Sequence, residues 1–182
     1  MTSTMYNPDL TLKDLIVPTE YDSTYRGRLL VGEVHDENAW VMGGVAPHAG
    51  LFSTAYDIAI FGQTMSNKGE WMGARYFNDY NIEKFTERQN MPESSDRAIG
   101  WDTPSQGGKS SAGDYFSNSS YGHLGFTGTS FWIDPENDIV VVLLTNRVHP
   151  TRKNKGIYGI RRAFHTEVIK EILNQSDSVG LN

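Results

Sequence analysis

A chain of 182 residues, 38% of them apolar and 12% aromatic, is long enough to bury one core of ordinary size. A charged fraction of 21% and a net charge of −6 describe a globular chain rather than a disordered one, and the scattered Lys and Arg form no basic face for nucleic acid. The absence of cysteine excludes disulfide frameworks, thiolate metal sites and cysteine nucleophiles together.

The first fifteen residues lack a basic segment followed by an apolar one and do not read as a signal peptide. Residues 1 to 52 read as mostly irregular, punctuated by Pro8, Pro18 and Pro47 and by glycines, with two short strand-like pieces at 15–21 and 29–35. The first helix is marked at its start by Thr54 and Asp57, spaced as in a capping box. Ile58, Phe61 and Met65 carry its apolar side, and Asn67 and Gly69 offer its stop. Ile82 and Phe85 support a shorter helix over 81–89, and 98–102 is a candidate strand. Residues 103–120, rich in Ser and Gly, read as a long surface loop with little to bury.

The segments 131–134 and 139–146 predict a hairpin across Pro135-Glu136-Asn137-Asp138. The six consecutive apolar residues 139–144 require cover on both faces of the second strand, yet fall far short of a membrane span. The last helix, 157–173, places Ile157, Ile160, Phe164, Val168 and Ile172 on one stripe suited to packing on the sheet. The expected class is therefore α+β, a layered α/β sandwich in which an antiparallel sheet carries helices on its faces.

Three segments bear the most specific pattern: "VHDENA" at 34–39, "GGVAPHAGLFSTAYDIA" at 43–59 and "GHLGFTGTSFWIDP" at 122–135. With them the chain resembles the serine β-lactamase and penicillin-binding protein superfamily, nearest to its low-molecular-weight penicillin-binding proteins and related esterases. The resemblance runs over nearly the whole chain. It implies acyl transfer through a Ser-x-x-Lys nucleophile and base, a Tyr-x-Asn proton shuttle, and a Lys-Thr-Gly or His-x-Gly on the strand that edges the cleft.

The third motif is represented by His123-Leu124-Gly125. A strand edge suits the role because its free backbone groups can pair with a substrate as an added strand would. The resemblance makes His123 a polar donor at the cleft, Gly125 the space for the acyl group, and the Phe126 amide one oxyanion-hole donor. Thr127, Gly128 and His48 are the expected substrate-binding residues. His123 stands where many relatives have Lys and is not a fixed cation, which favours esterase or D-amino-acid peptidase chemistry over efficient β-lactam hydrolysis. A second register, Phe126-Thr127-Gly128 as a Lys-less Lys-Thr-Gly, keeps no such donor. Without a substrate, the same hexapeptide reads as an edge strand with glycines at a bulge.

No Ser-x-x-Lys occurs in the 182 residues; Ser105 is followed by Lys109, one residue too far and in a loop. Tyr76-Phe77-Asn78 spells Tyr-x-Asn but follows the first helix, whereas the family places that motif before it. The expectation is a single partial domain over 1–182, the C-terminal portion of a serine acyl hydrolase, inactive by itself. Its substrate in the complete protein would be a peptide, ester or β-lactam, with neither cofactor nor metal. A location in the bacterial cell envelope or periplasm, or secretion, follows from the family. The alternative is a non-catalytic module that uses an exposed sheet edge to self-associate or to recruit a missing N-terminal half. His35-Asp36 suggests a metal pair only in isolation; Asp36 and Asn38 more simply bond loop backbone.

Overall fold

The computed structural model describes residues 1–179, with side chains to 175. In chain order the strands are β1 Met5–Tyr6, β2 Tyr21–Asp22, β3 Arg28–Leu29, β4 Leu51–Phe52, β5 Glu70–Trp71, β6 Ala74–Arg75, β7 Tyr121–Leu124, β8 Ser130–Asp134 and β9 Ile139–Leu143. The helices are α1 Glu37–Val41, α2 Ala55–Ser66, α3 Asp79–Thr86 and α4 Ile157–Val179, with a 3-10 turn at Leu10–Leu15. The first six strands form two-residue antiparallel pairs; β7, β8 and β9 form one antiparallel meander in that order.

Helix α2 starts as its sequence predicts: the Thr54 side chain accepts from the Asp57 N–H, and Asn67 ends the helix. Asp57, however, does not close the capping box. Its carboxylate accepts from the Ser3 N–H and the Thr4 hydroxyl, both at 2.8 Å, and so ties the N-terminal segment beside the β1–β4 pair. Gly62 brings the helix onto the sheet. A Cβ there would lie 2.5 Å from Val140 Cγ1 and 2.8 Å from Phe131 Cε2, so only glycine permits this approach.

Both faces of the meander are covered, as the apolar run in β9 demanded. Phe61 and Met65 of α2 pack with Tyr121, Phe131, Ile133, Val140 and Trp101 on one face. On the other, Phe164, Val168, Ile169 and Leu173 of α4 pack with Trp132, Val141 and Ile139. The result is a helix–sheet–helix layering of α+β type, as expected.

Four expectations are corrected. The strand-like pieces at 15–21 and 29–35 shrink to the two-residue pair β2–β3, because Asp22, Arg26 and Gly27 turn the chain between them. Segment 98–102 folds into bridges rather than a strand: Arg97 with Asp102, and Asp102 with Gly122. Residues 103–120 contain no helix or strand, yet Ala112 and Phe116 are buried under α4, so this segment has a core of its own to join. The buried side of α4 is Ile157, Arg161, His165 and Ile169, whereas Ile160 is exposed. The expected stripe holds at Ile157, Phe164 and Val168, which are buried or pack on the core, and fails at Ile160, while Arg161 and His165 take the deepest positions.

Candidate active site

The β7–β8 pairing places His123 opposite Phe131 and Leu124 opposite Ser130. The Gly125 N–H donates to Thr129 O at 2.8 Å and the Gly128 N–H to Gly125 O at 3.1 Å. Strand β7 therefore ends in a three-residue hairpin loop, Phe126-Thr127-Gly128, closed by Gly128 at φ +122°. Gly125 has a local reason: a Cβ there would meet Thr129 Oγ1 at 2.1 Å. Gly128 is buried against Thr145 and Arg147, and its carbonyl accepts from the Thr145 hydroxyl at 2.6 Å.

Backbone groups of an antiparallel strand face alternate edges. Gly122 exchanges both of its bonds with Asp102, 2.9 and 2.8 Å, and so faces away from β8. By alternation Leu124 faces the same way, beyond the end of the Asp102 segment. Its carbonyl accepts from the His123 ring, whose Nδ1 lies 3.0 Å away and must carry the proton. The N–H groups of Leu124 and Phe126 find no partner among the described residues. Two N–H donors, two residues apart, thus lie open beside an exposed His123.

Cations cover the carbonyl side of the loop. Arg147 donates through Nε to Phe126 O at 2.7 Å and its guanidinium sits 4.2 Å from the Phe126 ring centroid. Arg161, only 4% exposed, donates through Nη2 to Gly125 O at 2.5 Å and Thr129 O at 2.7 Å. Burial and the charge of Arg147 lower its pKa. One turn along, His165 is fully buried with Nε2 2.9 Å from Ser130 Oγ. Burial, then the Arg161 charge, pushes its pKa down from 6.5 to about 4, so the ring is neutral at pH 7.

The Phe126 ring stacks on His35, 5.7 Å between centroids. His35 Nε2 lies 2.9 Å from Glu20, a buried carboxylate that also takes the Arg152 N–H and guanidinium at 2.8 and 2.6 Å. Burial opposes ionisation of Glu20, but these bonds outweigh it and hold its pKa below the usual carboxylate range. Beneath it Asp22 and Arg26 pair at 2.6 Å, both buried; Arg26 also holds the carbonyls of Val34 and His35. Burial would raise the Asp22 pKa; bonds from Arg26, Tyr25 and Thr24 bring it down to about 2. This network fixes the 20–37 segment behind the loop.

His48 stands apart. Its Nε2 bonds Asp36 at 3.1 Å, and Asp36 caps α1 by accepting from the Ala39 N–H; no hydrogen bond, ion pair or ring contact joins His48 to 123–128 among the described residues. Asp36 is thus a backbone-binding residue, as the simpler reading held. Asn78 of the Tyr-x-Asn triplet caps α3. Two shallow cavities of about 310 and 220 Å³ are not lined by His123: one is lined by Glu33, Trp40 and Gly44, the other by Asn154 and Ile160 with Thr145 and Arg147, the residues that bond the loop carbonyls. His123 and Phe126 are exposed to solvent on this edge. No three His, Asp or Glu side chains there gather closely enough to hold a metal.

Arg147, Arg161 and His165 were not singled out in the sequence. The signal for the last two was present, since 157, 161, 165 and 169 repeat every four residues.

The helix-covered antiparallel meander, an α+β arrangement, agrees with what comparison with known proteins shows. The chain matches the family described as Beta-lactamase over residues 1–164, and it belongs to that family. A protein of Salmonella agona described as "Putative D-alanyl-D-alanine carboxypeptidase" is 42% identical over 134 residues, covering 72% of this chain and 31% of the relative. Its counterpart in Salmonella paratyphi B is 41% identical over the same coverage. The chain thus spans about a third of the length of the curated relatives it matches. Among solved structures, a β-lactamase from Mycobacterium bovis superposes with a TM-score of 0.52 at 21% identity, covering 68% of this chain and 46% of that one. A protein from Bacillus anthracis titled "Putative 6-aminohexanoate-dimer hydrolase" gives 0.51 at 21% identity, with 70% and 31% covered. At such identities the two structures speak for the fold. No described helix is long and apolar enough to cross a membrane.

Proposed function

We propose that this chain supplies the substrate-facing sheet edge of a serine acyl hydrolase whose nucleophile and base, a Ser-x-x-Lys, lie on polypeptide outside these 182 residues. The supporting observation is the pair of open N–H groups at Leu124 and Phe126, left free where the Asp102 segment ends. An extended acyl substrate lies along this edge as an added strand, and the Phe126 N–H receives the oxygen that becomes negative as the carbonyl turns tetrahedral. His123, its Nδ1–H held by the Leu124 carbonyl, offers its other ring nitrogen as an acceptor to a substrate N–H or O–H, with Thr127 and Gly128 completing the loop. D-amino-acid peptides are the favoured substrates, given the names of the relatives; esters and β-lactams share the chemistry. The cell envelope is the matching location.

A fluorescent penicillin tests this. A longer protein that joins this chain to a Ser-x-x-Lys is labelled, and the 182-residue chain is not. Labelling of the short chain would remove the claim that the nucleophile is elsewhere. A second, non-catalytic reading draws on β9, whose Val140 and Val142 face away from β8 and find no backbone partner among the described residues. It requires self-association through that edge, and a monomer at all concentrations in size-exclusion chromatography would dismiss it.

A further inference from the structure

We infer that Arg161 is a positioning residue for the oxyanion site, acting through the Gly125–Phe126 peptide group, whose carbonyl it grips and whose N–H is the open donor. The inference rests on the acyl-transfer reading only for the identity of the ligand.

Gly125 O and the Phe126 N–H belong to one planar trans peptide and point to opposite sides of it. On the inner side the carbonyl accepts from Arg161 Nη2 at 2.5 Å and from the Gly128 N–H at 3.1 Å. On the outer side the N–H has no partner among the described residues. A donor placed on the carbonyl draws electron density through the amide and strengthens the N–H at the far end; a cationic donor does so most.

The setting increases the effect. Arg161 is buried, has no carboxylate acting on it among the described residues, and leaves its buried Nε without a partner. Its charge is therefore offset by carbonyl dipoles alone, and its field is not quenched locally by an anion. The second bond, from Nη2 to Thr129 O at 2.7 Å, spans the base of the hairpin and fixes the direction of the peptide. A positive charge thus stands behind the edge, out of reach of solvent and substrate, and is transmitted by a backbone amide aimed at the reacting oxygen.

Base-catalysed hydrogen exchange of the Phe126 amide, followed by NMR on the 182-residue chain, separates polarisation from simple bracing. A polarised N–H is more acidic and exchanges faster. Arg161→Met is expected to slow Phe126 exchange roughly threefold or more, the scale of cooperative strengthening of one hydrogen bond, and to move its proton resonance upfield. Leu124, on the same edge but joined to a carbonyl that Arg161 does not touch, changes less. Arg161→Lys restores part of the effect. If Arg161 merely braces the loop, its removal leaves Phe126 exchange unchanged or faster, and either result overturns the inference.

Should Arg161→Met fail to fold, the wild-type chain decides. The Phe126 N–H is expected to exchange faster, relative to its unstructured-peptide rate, than the equally open Leu124 N–H, whose peptide carbonyl Arg161 does not touch, and equal or slower exchange at Phe126 overturns the inference. None of these measurements needs turnover, so failed penicillin labelling of the longer protein would strike the acyl-transfer reading and leave this one standing.

Discussion

Acidification from pH 7 to pH 4 should destabilise this fold through one side chain, His165. Its ring is fully buried beside Ser130 and the Arg161 cation, and its pKa falls from 6.5 to about 4 in the folded chain. In the unfolded chain the ring titrates at its ordinary value. The sign follows: between about 6.5 and 4 the unfolded state binds the extra proton, so stability falls as pH falls, and below about 4 the contribution is fully lost. The gap is 6.5 minus about 4, or about 2.5 pH units; at 1.36 kcal/mol per unit this amounts to about 3 kcal/mol. Urea unfolding followed by tryptophan fluorescence, at half-unit steps from pH 7.5 to 4, measures it in the wild type and in His165→Gln. The wild-type advantage over the variant should shrink by about 3 kcal/mol across that range. Most carboxylate losses fall at lower pH and are common to both chains. Parallel loss in the two proteins would refute the assignment of a buried, neutral histidine.

Three further outcomes follow from the geometry. Phe126→Pro deletes the outward N–H at the first turn position, where proline is tolerated, so a longer protein carrying the Ser-x-x-Lys should lose about 10²–10³ in kcat, far more than Phe126→Ala, which removes the same ring contacts with His35 and Arg147 and keeps the N–H; equal acylation kinetics in the two variants would exclude this amide as the oxyanion donor. Gly62→Ala should cost about 1–3 kcal/mol in urea unfolding, because the new methyl meets Val140 and Phe131. Asp22→Ala should cost about 3–5 kcal/mol by stranding the buried Arg26. In the wild type the Asp22 contribution holds above 3.8 and disappears as pH falls toward about 2, a window separable from that of His165.

The sheet edge and the buried cation behind it divide the labour at this site. His123, Leu124 and Phe126 present groups to solvent, while Arg147 and Arg161 take up the carbonyls on the other side. Because the inner bonds are made with buried or half-buried guanidinium groups, the loop is held without using any group on its outer edge.

By itself the sequence determined what local chemistry dictates. Thr54 and Asn67 bound α2 because capping acts within one turn, and the Pro135–Asp138 turn with its flanking apolar runs set the β8–β9 hairpin and the need for cover on both faces. The resemblance carried by "GHLGFTGTSFWIDP" gave the family and directed attention to residues 123–128. Tertiary structure decided what depends on neighbours distant in the chain. Helix α4 packs Phe164 and Val168 on the core as its apolar pattern requires, but the hairpin carbonyls and Ser130 draw in Arg161 and His165, polar residues that a hydrophobic pattern places outside. Asp57 reads as half of a capping box, yet it binds Ser3 and Thr4 because the N-terminal segment packs there. Which N–H groups of the His-x-Gly edge are free was likewise settled by the Asp102 bridge, since whether a backbone donor is paired depends on which segment lies beside it.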